Sequence, residues 1–180
     1  KRLKPEYEIP LRIPRGGVFS RVGAVNKPER GANGTVTICV IPGPQDDYFS
    51  DKVKNTFFSK VYSVTADSDR MGIKLDGAPV ESIDGVDIIS DGIVAGSVQI
   101  PSAGKPIIMM ADRQTTGGYA KIATVITSDL PLLAQLRPGG TLRFKKVDLQ
   151  YAVKRIKADK KALKKLQTNI LRADTFTSDS

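Results

Sequence analysis

The chain alternates short apolar runs with clusters of Gly, Pro, Asp and Ser. Most of the runs are rich in β-branched residues and only four to seven residues long, which is typical of strands rather than helices. Many short strands separated by turn residues indicate a β-barrel or a β-sandwich. Strands are predicted at residues 35–41, 61–65, 73–75, 86–90, 97–101, 106–110, 121–127 and 141–147.

Three helices are predicted among these strands. Asp46 or Asp47 can cap the first helix, Ser128 the second, and Asp148 a long basic helix that ends near Ala173. Residues 1–34 lack sustained alternation and are predicted to form an extended arm, with at most a short strand at 11–13. The expected organisation is therefore an arm at 1–34, a mainly β domain at 35–147, and a basic helix with a frayed tail at 148–180.

The distribution of charge along the chain agrees with this division. The net charge is +9, but residues 1–30 and residues 153–180 each carry eight basic and three acidic residues, whereas the segment between them is nearly neutral. The terminal lysines follow helical spacing around an apolar stripe, so they indicate the solvated face of a packed helix rather than a nucleic-acid site.

The sequence also bears on location and completeness. No apolar run approaches the roughly 20 residues that cross a bilayer, and no signal peptide is visible, so a cytoplasmic protein is expected. The chain starts at Lys1 without Met, which suggests a piece of a longer protein.

Histidine is absent and Cys39 is the only cysteine, which excludes several kinds of site within this chain. Zinc sites built on His and Cys, Ser-His-Asp triads, Cys-His pairs and disulfides all need residues that are missing, and no metal site is predicted. Cys39 is expected to be a small buried hydrophobe. Any acid–base chemistry must use Asp, Glu, Lys or Tyr.

The densest polar chemistry lies in ADRQTTGGYAKIATVI, at residues 111–126. The planar guanidinium of Arg113 can donate two hydrogen bonds to a carboxylate or phosphate, while Thr115 and Thr116 supply side-chain donors. Gly117 and Gly118 allow unusual backbone conformations, so an anionic or carbonyl-bearing ligand is expected here. The alternative is a polar β-turn in which the two glycines merely reverse the chain.

Three further polar clusters, at residues 42–47, 67–72 and 90–101, also lie in loops beside predicted strands. Loops at one end of a rigid β scaffold often assemble a site, so these clusters can converge with the first. The alternative is that the acidic residues form Asx turns or helix caps and that Arg70 and Arg113 form structural ion pairs. The residues that can converge with Arg113 and Thr115 are Asp46, Asp69, Arg70, Asp91 and Gln99.

These clusters, in this order, resemble the KipA family, also called allophanate hydrolase subunit 2 or biotin-dependent carboxylase-related proteins. The similar segments are PGPQDDYF, SDRMG, SDGIVAGSVQIP, ADRQTTGGYAKIATVI and DLPLLAQLRPG. The resemblance implies a cyclophilin-like β-barrel with a closing C-terminal helix, and it implies that this chain is the C-terminal half of a longer protein.

The resemblance also implies activities and partners. Family members are similar to the C subunit of prokaryotic 5-oxoprolinase, which hydrolyses 5-oxoproline to glutamate with ATP, together with two partner proteins, one KipI-like and one LamB/YcsF-like. Others are similar to the carboxyltransferase domain of urea carboxylase, whose cofactor is biotin, or act as regulatory partners of a KipI-like kinase inhibitor. Neither GxGxxG nor GxxxxGK[ST] occurs, so ATP is expected to bind elsewhere in the assembled complex.

Both enzymatic roles need donors aimed at a developing oxyanion and groups that move protons. A half-barrel can also expose an apolar patch and form a homo-oligomer. The catalytic residues expected on this basis are Asp112, Arg113, Tyr119 and Lys121. The substrate-binding residues expected are Gln114, Thr115, Thr116, Gly117, Gly118, Asp91, Gln99, Asp69, Arg70 and Asp46.

Overall fold

The computed structural model describes residues 31, 34–82 and 87–175, and these form eight strands and three helices. Most of the predicted arm, with its strand at 11–13, and residues 176–180 of the predicted tail lie outside the described residues. The strands are β1 (Val36–Pro42), β2 (Tyr62–Val64), β3 (Gly72–Asp76), β4 (Asp87–Gly92), β5 (Ser97–Ile100), β6 (Ile107–Met109), β7 (Thr116–Val125) and β8 (Thr141–Lys146). The helices are α1 (Asp51–Ser59), α2 (Leu130–Leu133) and α3 (Leu149–Thr175).

Seven of the strands close into a barrel in the order β1-β8-β2-β3-β6-β5-β7. β1 runs parallel to β8, and its antiparallel pairing with β7, with Val40 opposite Val125, completes the ring. β4 stands outside the ring and pairs with the first half of β7. The predicted mainly β fold with a barrel and a C-terminal helix is confirmed.

Aromatic side chains fill the contact between α1 and the barrel. Phe57 is fully buried, and its ring stacks on Phe144 of β8 with centroids 4.4 Å apart, while Tyr62 lies beside both rings. Such pairs add stabilisation beyond the apolar area that they bury. Burial also raises the pKa of Tyr62 to about 12.

Two predicted helix caps are wrong. The N-cap of α1 is Ser50, whose hydroxyl accepts from Val53 N, because Asp46 and Asp47 are taken up by a separate 3₁₀ turn. Ser128 lies within the 3₁₀ turn Thr127–Asp129 that precedes α2 and makes no side-chain cap there. Asp148 does cap α3, since its carboxylate accepts from Tyr151 N at 2.6 Å.

The carboxylate of Asp129 ties α3 to the barrel. Asp129 is 2% exposed, and its two oxygens accept from Cys39 N on β1 at 2.8 Å and from Arg155 Nη2 on α3 at 3.3 Å. Arg155 Nη1 also donates to the hydroxyl of Tyr151. Cys39 is buried, as expected, and burial together with the Asp129 charge raises the pKa of its thiol to about 11.

No helix among the described residues combines the length and the apolar character needed to cross a membrane.

Replacing Asp129 with Ala is expected to lower the free energy of unfolding by about 2–4 kcal/mol, because it removes the acceptor of the buried Cys39 N–H and the carboxylate partner of the Arg155 guanidinium. Urea unfolding followed by circular dichroism measures the change. Asp51→Ala is the control, since that side chain is 95% exposed and its ion pair with Lys54 contributes about 0.5 kcal/mol or less. Equal stabilities of the two variants would contradict the assignment of Asp129.

Candidate functional site

A polar face crosses β4, β5 and β7. Side chains alternate along a strand, so Gly117, Tyr119 and Lys121 of β7 point to the same side. Asp91 of β4 is the register partner of Gly117, and Gln99 of β5 is the register partner of Lys121. Since directly paired residues share a face, these five residues form one surface, which we call the polar face.

Lys121 is the buried centre of the polar face. The residue is 1% exposed, and its Nζ lies 2.9 Å from Asp91 Oδ2, whose side chain is 49% exposed. An ammonium group can be held out of water only when an opposite charge compensates it. Hydrogen bonds from Lys121 and then Gln45 are the main causes that lower the pKa of the Asp91 carboxyl, so this group is ionised at neutral pH.

Gln45 hydrogen-bonds to both residues of this ion pair, although it is not among the predicted site residues. Its Nε2 donates to Asp91 Oδ2 and its Oε1 accepts from Lys121 N, both at 3.2 Å. One amide therefore connects the loop after β1 to both β4 and β7. Its sequence signal is its position in the PGPQDD cluster, next to the predicted site residue Asp46.

Two buried donors on the polar face have unused hydrogen-bonding capacity. Gln99 is 2% exposed, and its Nε2 has no hydrogen-bond partner among the described residues. The ammonium of Lys121 has three N–H groups but only the Asp91 carboxylate as a charged partner within reach among those residues. Buried polar groups in proteins are almost always satisfied, so paired donors of this kind indicate a place for an oxygen acceptor.

Gly117 packs closely against the Gln99 amide. A Cβ at Gly117 would lie 2.8 Å from Ile93 Cδ1, 3.2 Å from Gln99 Nε2 and 3.6 Å from Gln114 Nε2. The absence of a Cβ at Gly117 therefore lets Ile93 and the Gln99 amide pack against the backbone of β7. The alternative in which Gly117 and Gly118 form a reversing turn is wrong, because both lie within β7 and neither has a positive φ.

The polar face includes four of the predicted site residues with charged, amide or phenol side chains: Asp91, Gln99, Tyr119 and Lys121. Tyr119 is 39% exposed and lies at its open end, one register pair from Asp91. Gln114 approaches the same place from the β6–β7 loop. Thr116 pairs with Gly92 beside it, and Thr115 accepts from Ile93 N through its backbone carbonyl.

Arg113 holds the loops around this face. Its Nε donates to the carbonyl of Ile93 at 3.1 Å and its Nη1 to the carbonyl of Met110 at 3.3 Å. These bonds join the β4–β5 turn to the β6–β7 loop. The geometry thus gives Arg113 a positioning role, and its predicted contact with a ligand stays a prediction.

Other predicted residues make local structural contacts. Arg70 Nε lies 3.0 Å from Asp112 Oδ2, and its Nη2 donates to the other oxygen, so the two exposed residues form a bidentate pair. Asp69 accepts from the backbone N–H groups of Met71 and Gly72, which is an Asx turn. Asp46 lies 3.9 Å from Lys54 at the start of α1. These contacts match the structural alternatives, and the predicted roles in binding remain untested.

Gly118 faces away from the polar face. It alternates with Gly117 and Tyr119 along β7, and a Cβ there would meet the carbonyl of Ile88 at 3.2 Å. Its predicted contact with a substrate stays a prediction.

Sequence comparison identifies a family. Residues 1–146 match the family described as carboxyltransferase domain, subdomain A and B. The chain is 43% identical over 117 residues to the 5-oxoprolinase C subunit of Haemophilus influenzae and 35% identical to that of Escherichia coli. Each alignment covers 65% of this chain and 38% of the relative, so the chain spans well under half of these curated proteins.

A structural comparison supports the fold. The urea carboxylase of Kluyveromyces lactis superposes with a TM-score of 0.65 and 24% identity, over 70% of this chain and 12% of that protein. This similarity concerns the fold alone.

Gly117→Ala is expected to lower the free energy of unfolding by about 1–2 kcal/mol, because the added methyl group meets Ile93 and the Gln99 amide. The matched control is Gly92→Ala on β4, where a Cβ would meet nothing within 4 Å. Thermal unfolding of both variants makes the comparison. If the two variants are equally stable, the tight packing assigned to Gly117 is wrong.

The ion pair between Asp91 and Lys121 predicts a pH dependence of stability. The pKa of Asp91 is lower in the folded protein than its ordinary value of about 3.9, so its contribution is complete above that value and is lost as pH falls through the folded value. The difference in unfolding free energy between the wild type and Asp91→Asn, measured from about pH 7 to about pH 2, should shrink in acid. A difference that stays constant over this range would contradict the pairing.

Proposed function

This chain belongs to the carboxyltransferase domain, subdomain A and B, family, and we propose that it forms part of the C subunit of a 5-oxoprolinase. In this proposal it acts with a KipI-like protein and a LamB/YcsF-like protein in the ATP-dependent hydrolysis of 5-oxoproline to glutamate. The chain's contribution is a site that binds the lactam carbonyl on the polar face.

The observation that carries the proposal is the pair of buried donors, Lys121 and Gln99, on neighbouring strands. A lactam carbonyl oxygen is an acceptor, and hydrolysis places further negative charge on it. Donors that are already fixed in a water-poor site stabilise such charge without reorganising. The ammonium of Lys121 and the amide of Gln99 fit that requirement, and they support the proposal.

The neighbouring residues keep these donors in place. The ionised Asp91 carboxylate fixes the direction of the Lys121 side chain, and Gln45 holds both strands at the correct separation. Tyr119, at the exposed end of the face, is positioned to contact the substrate or to move a proton. Arg113 acts by holding the surrounding loops.

ATP is assigned to the partner proteins in this proposal. Its phosphates are commonly bound by a Gly-rich loop of backbone N–H groups at a helix N-terminus, and the sequence has neither common fingerprint of such a loop. The residues of the polar face offer donors for a single carbonyl group rather than for a triphosphate.

The test is glutamate release from 5-oxoproline by the full-length protein reconstituted with its two partner proteins and ATP. Lys121→Met is expected to reduce kcat about 100-fold or more, and Gln99→Leu about tenfold to 100-fold, because each removes a donor from the developing oxyanion. Lys74→Met is the control, since Lys74 is an exposed lysine paired with Asp67 on another part of the barrel. Unchanged turnover by a correctly assembled Lys121→Met complex would refute the proposal.

A second candidate function, carboxyl transfer from biotin, is supported by the match to the family described as carboxyltransferase domain, subdomain A and B. The ureido carbonyl of biotin is also an oxygen acceptor, so the same two donors fit it. When bound, carboxybiotin would supply the carboxyl group and leave as biotin, and Lys121 and Gln99 would hold the ureido oxygen. Carboxybiotin turnover stimulated by urea, without glutamate release from 5-oxoproline, would select this function over the first.

A further inference from the structure

The long C-terminal helix carries an apolar stripe that the barrel does not cover. Leu149, Val153 and Leu163 are 66%, 40% and 54% exposed, which is unusual for three apolar side chains on one helix. The residues that attach α3 to the barrel, Tyr151 and Arg155, lie on another side of the helix. The stripe therefore faces away from the contact at Asp129.

The spacing of the stripe is that of a helix–helix seam. Positions 149, 153, 156, 160 and 163 follow steps of four, three, four and three residues, and Leu, Val, Ile, Lys and Leu occupy them. A 3.5-residue period of this kind forms the contact line of a coiled coil. We call these five positions the seam of α3.

Charge identifies the kind of partner. Residues 149–165 contain seven basic residues and one acidic residue, Asp159. Lys157 and Lys164 flank the seam, Lys160 lies within it, and none of the three makes an ion pair with another described residue. A second copy of this helix would bring the same excess of positive charge against the seam.

We propose that the seam of α3 binds an acidic amphipathic helix of another protein as a two-helix coiled coil. Acidic side chains on the partner would flank its apolar stripe and pair with Lys157 and Lys164, as residues beside a coiled-coil core do. A further acidic side chain would face Lys160 and fix the register. Lys160 also favours a protein over a lipid surface, because a charge in the middle of the apolar stripe opposes insertion into acyl chains.

The test uses two synthetic helical peptides of about four heptads each. Both peptides carry Leu at the positions that would contact the apolar residues of the seam. The first peptide has Glu at the positions that flank these leucines and at the position opposite Lys160. The second peptide has Gln at all of those positions. Binding to the full chain is measured by fluorescence anisotropy. The Glu peptide is expected to bind at least about tenfold more tightly, and its affinity should fall as salt increases from about 0.05 M to about 0.5 M.

Variants locate the site. Leu163→Asp should abolish binding of the Glu peptide, and a Lys157→Glu, Lys164→Glu double variant should weaken it at least about tenfold. All three side chains are exposed, so the fold is expected to persist, which circular dichroism can verify. Lys60→Glu, an exposed charge reversal just after α1, is the matched control and should leave binding unchanged.

Four results would overturn the proposal. They are equal affinity for the Glu and Gln peptides, no binding of either peptide, a dimer of this chain in sedimentation that Leu163→Asp dissociates, and binding to phosphatidylserine vesicles that the Glu peptide does not displace. The third would assign the seam to a second copy and the fourth to a membrane surface.

Discussion

The ion pair between the buried Lys121 and Asp91 is the constraint on which the candidate site depends. Lys121 lies in the middle of β7, and a charge can be buried there only because β4 brings a carboxylate to 2.9 Å. β4 is also the strand outside the barrel ring, so the ion pair fastens an added strand to the closed sheet. Losing either charge would loosen β4, and losing the Asp91 carboxylate would also remove the acceptor that holds the ammonium.

The remaining features of the site follow from this arrangement. Gly117 provides the space in which the Gln99 amide lies beside Lys121, and Gln45 bridges Asp91 to the backbone of β7. Arg113 holds the surrounding loops by donating hydrogen bonds to two backbone carbonyl groups. Donors that are fixed by their neighbours on strands, rather than carried on mobile loops, are what binding of a carbonyl oxygen requires.

Most of the fold could be predicted from local sequence, because β-branched runs and the Gly and Pro residues between them define short strands. β7 was predicted to begin at residue 121, whereas it begins at Thr116. Two glycines give that segment a low intrinsic strand preference, and its strand structure comes from pairing with β4, a tertiary contact that no local pattern reveals. The cap at Ser50 was missed, and Ser128 was wrongly predicted as a cap, because adjacent residues of similar capping propensity compete.

The candidate site was predictable only in part. Lys121, Asp91 and Gln99 were selected as polar residues beside strands, and the barrel brings them together. Gln45 was missed because its role depends on the path of the chain after β1. Arg113 and Asp112 were selected for their chemistry, but their contacts with Ile93 and Arg70 depend on loop conformations that residue types do not determine.

The most direct test of this account is the ¹⁵N–¹H spectrum of the Lys121 ammonium and the Gln99 side-chain amide in the full-length protein, assembled with its partners and titrated with 5-oxoproline. The account predicts that both signals shift together and saturate with the same dissociation constant, because both groups donate to one bound oxygen. Saturation of the complex by 5-oxoproline with both signals unchanged would contradict it.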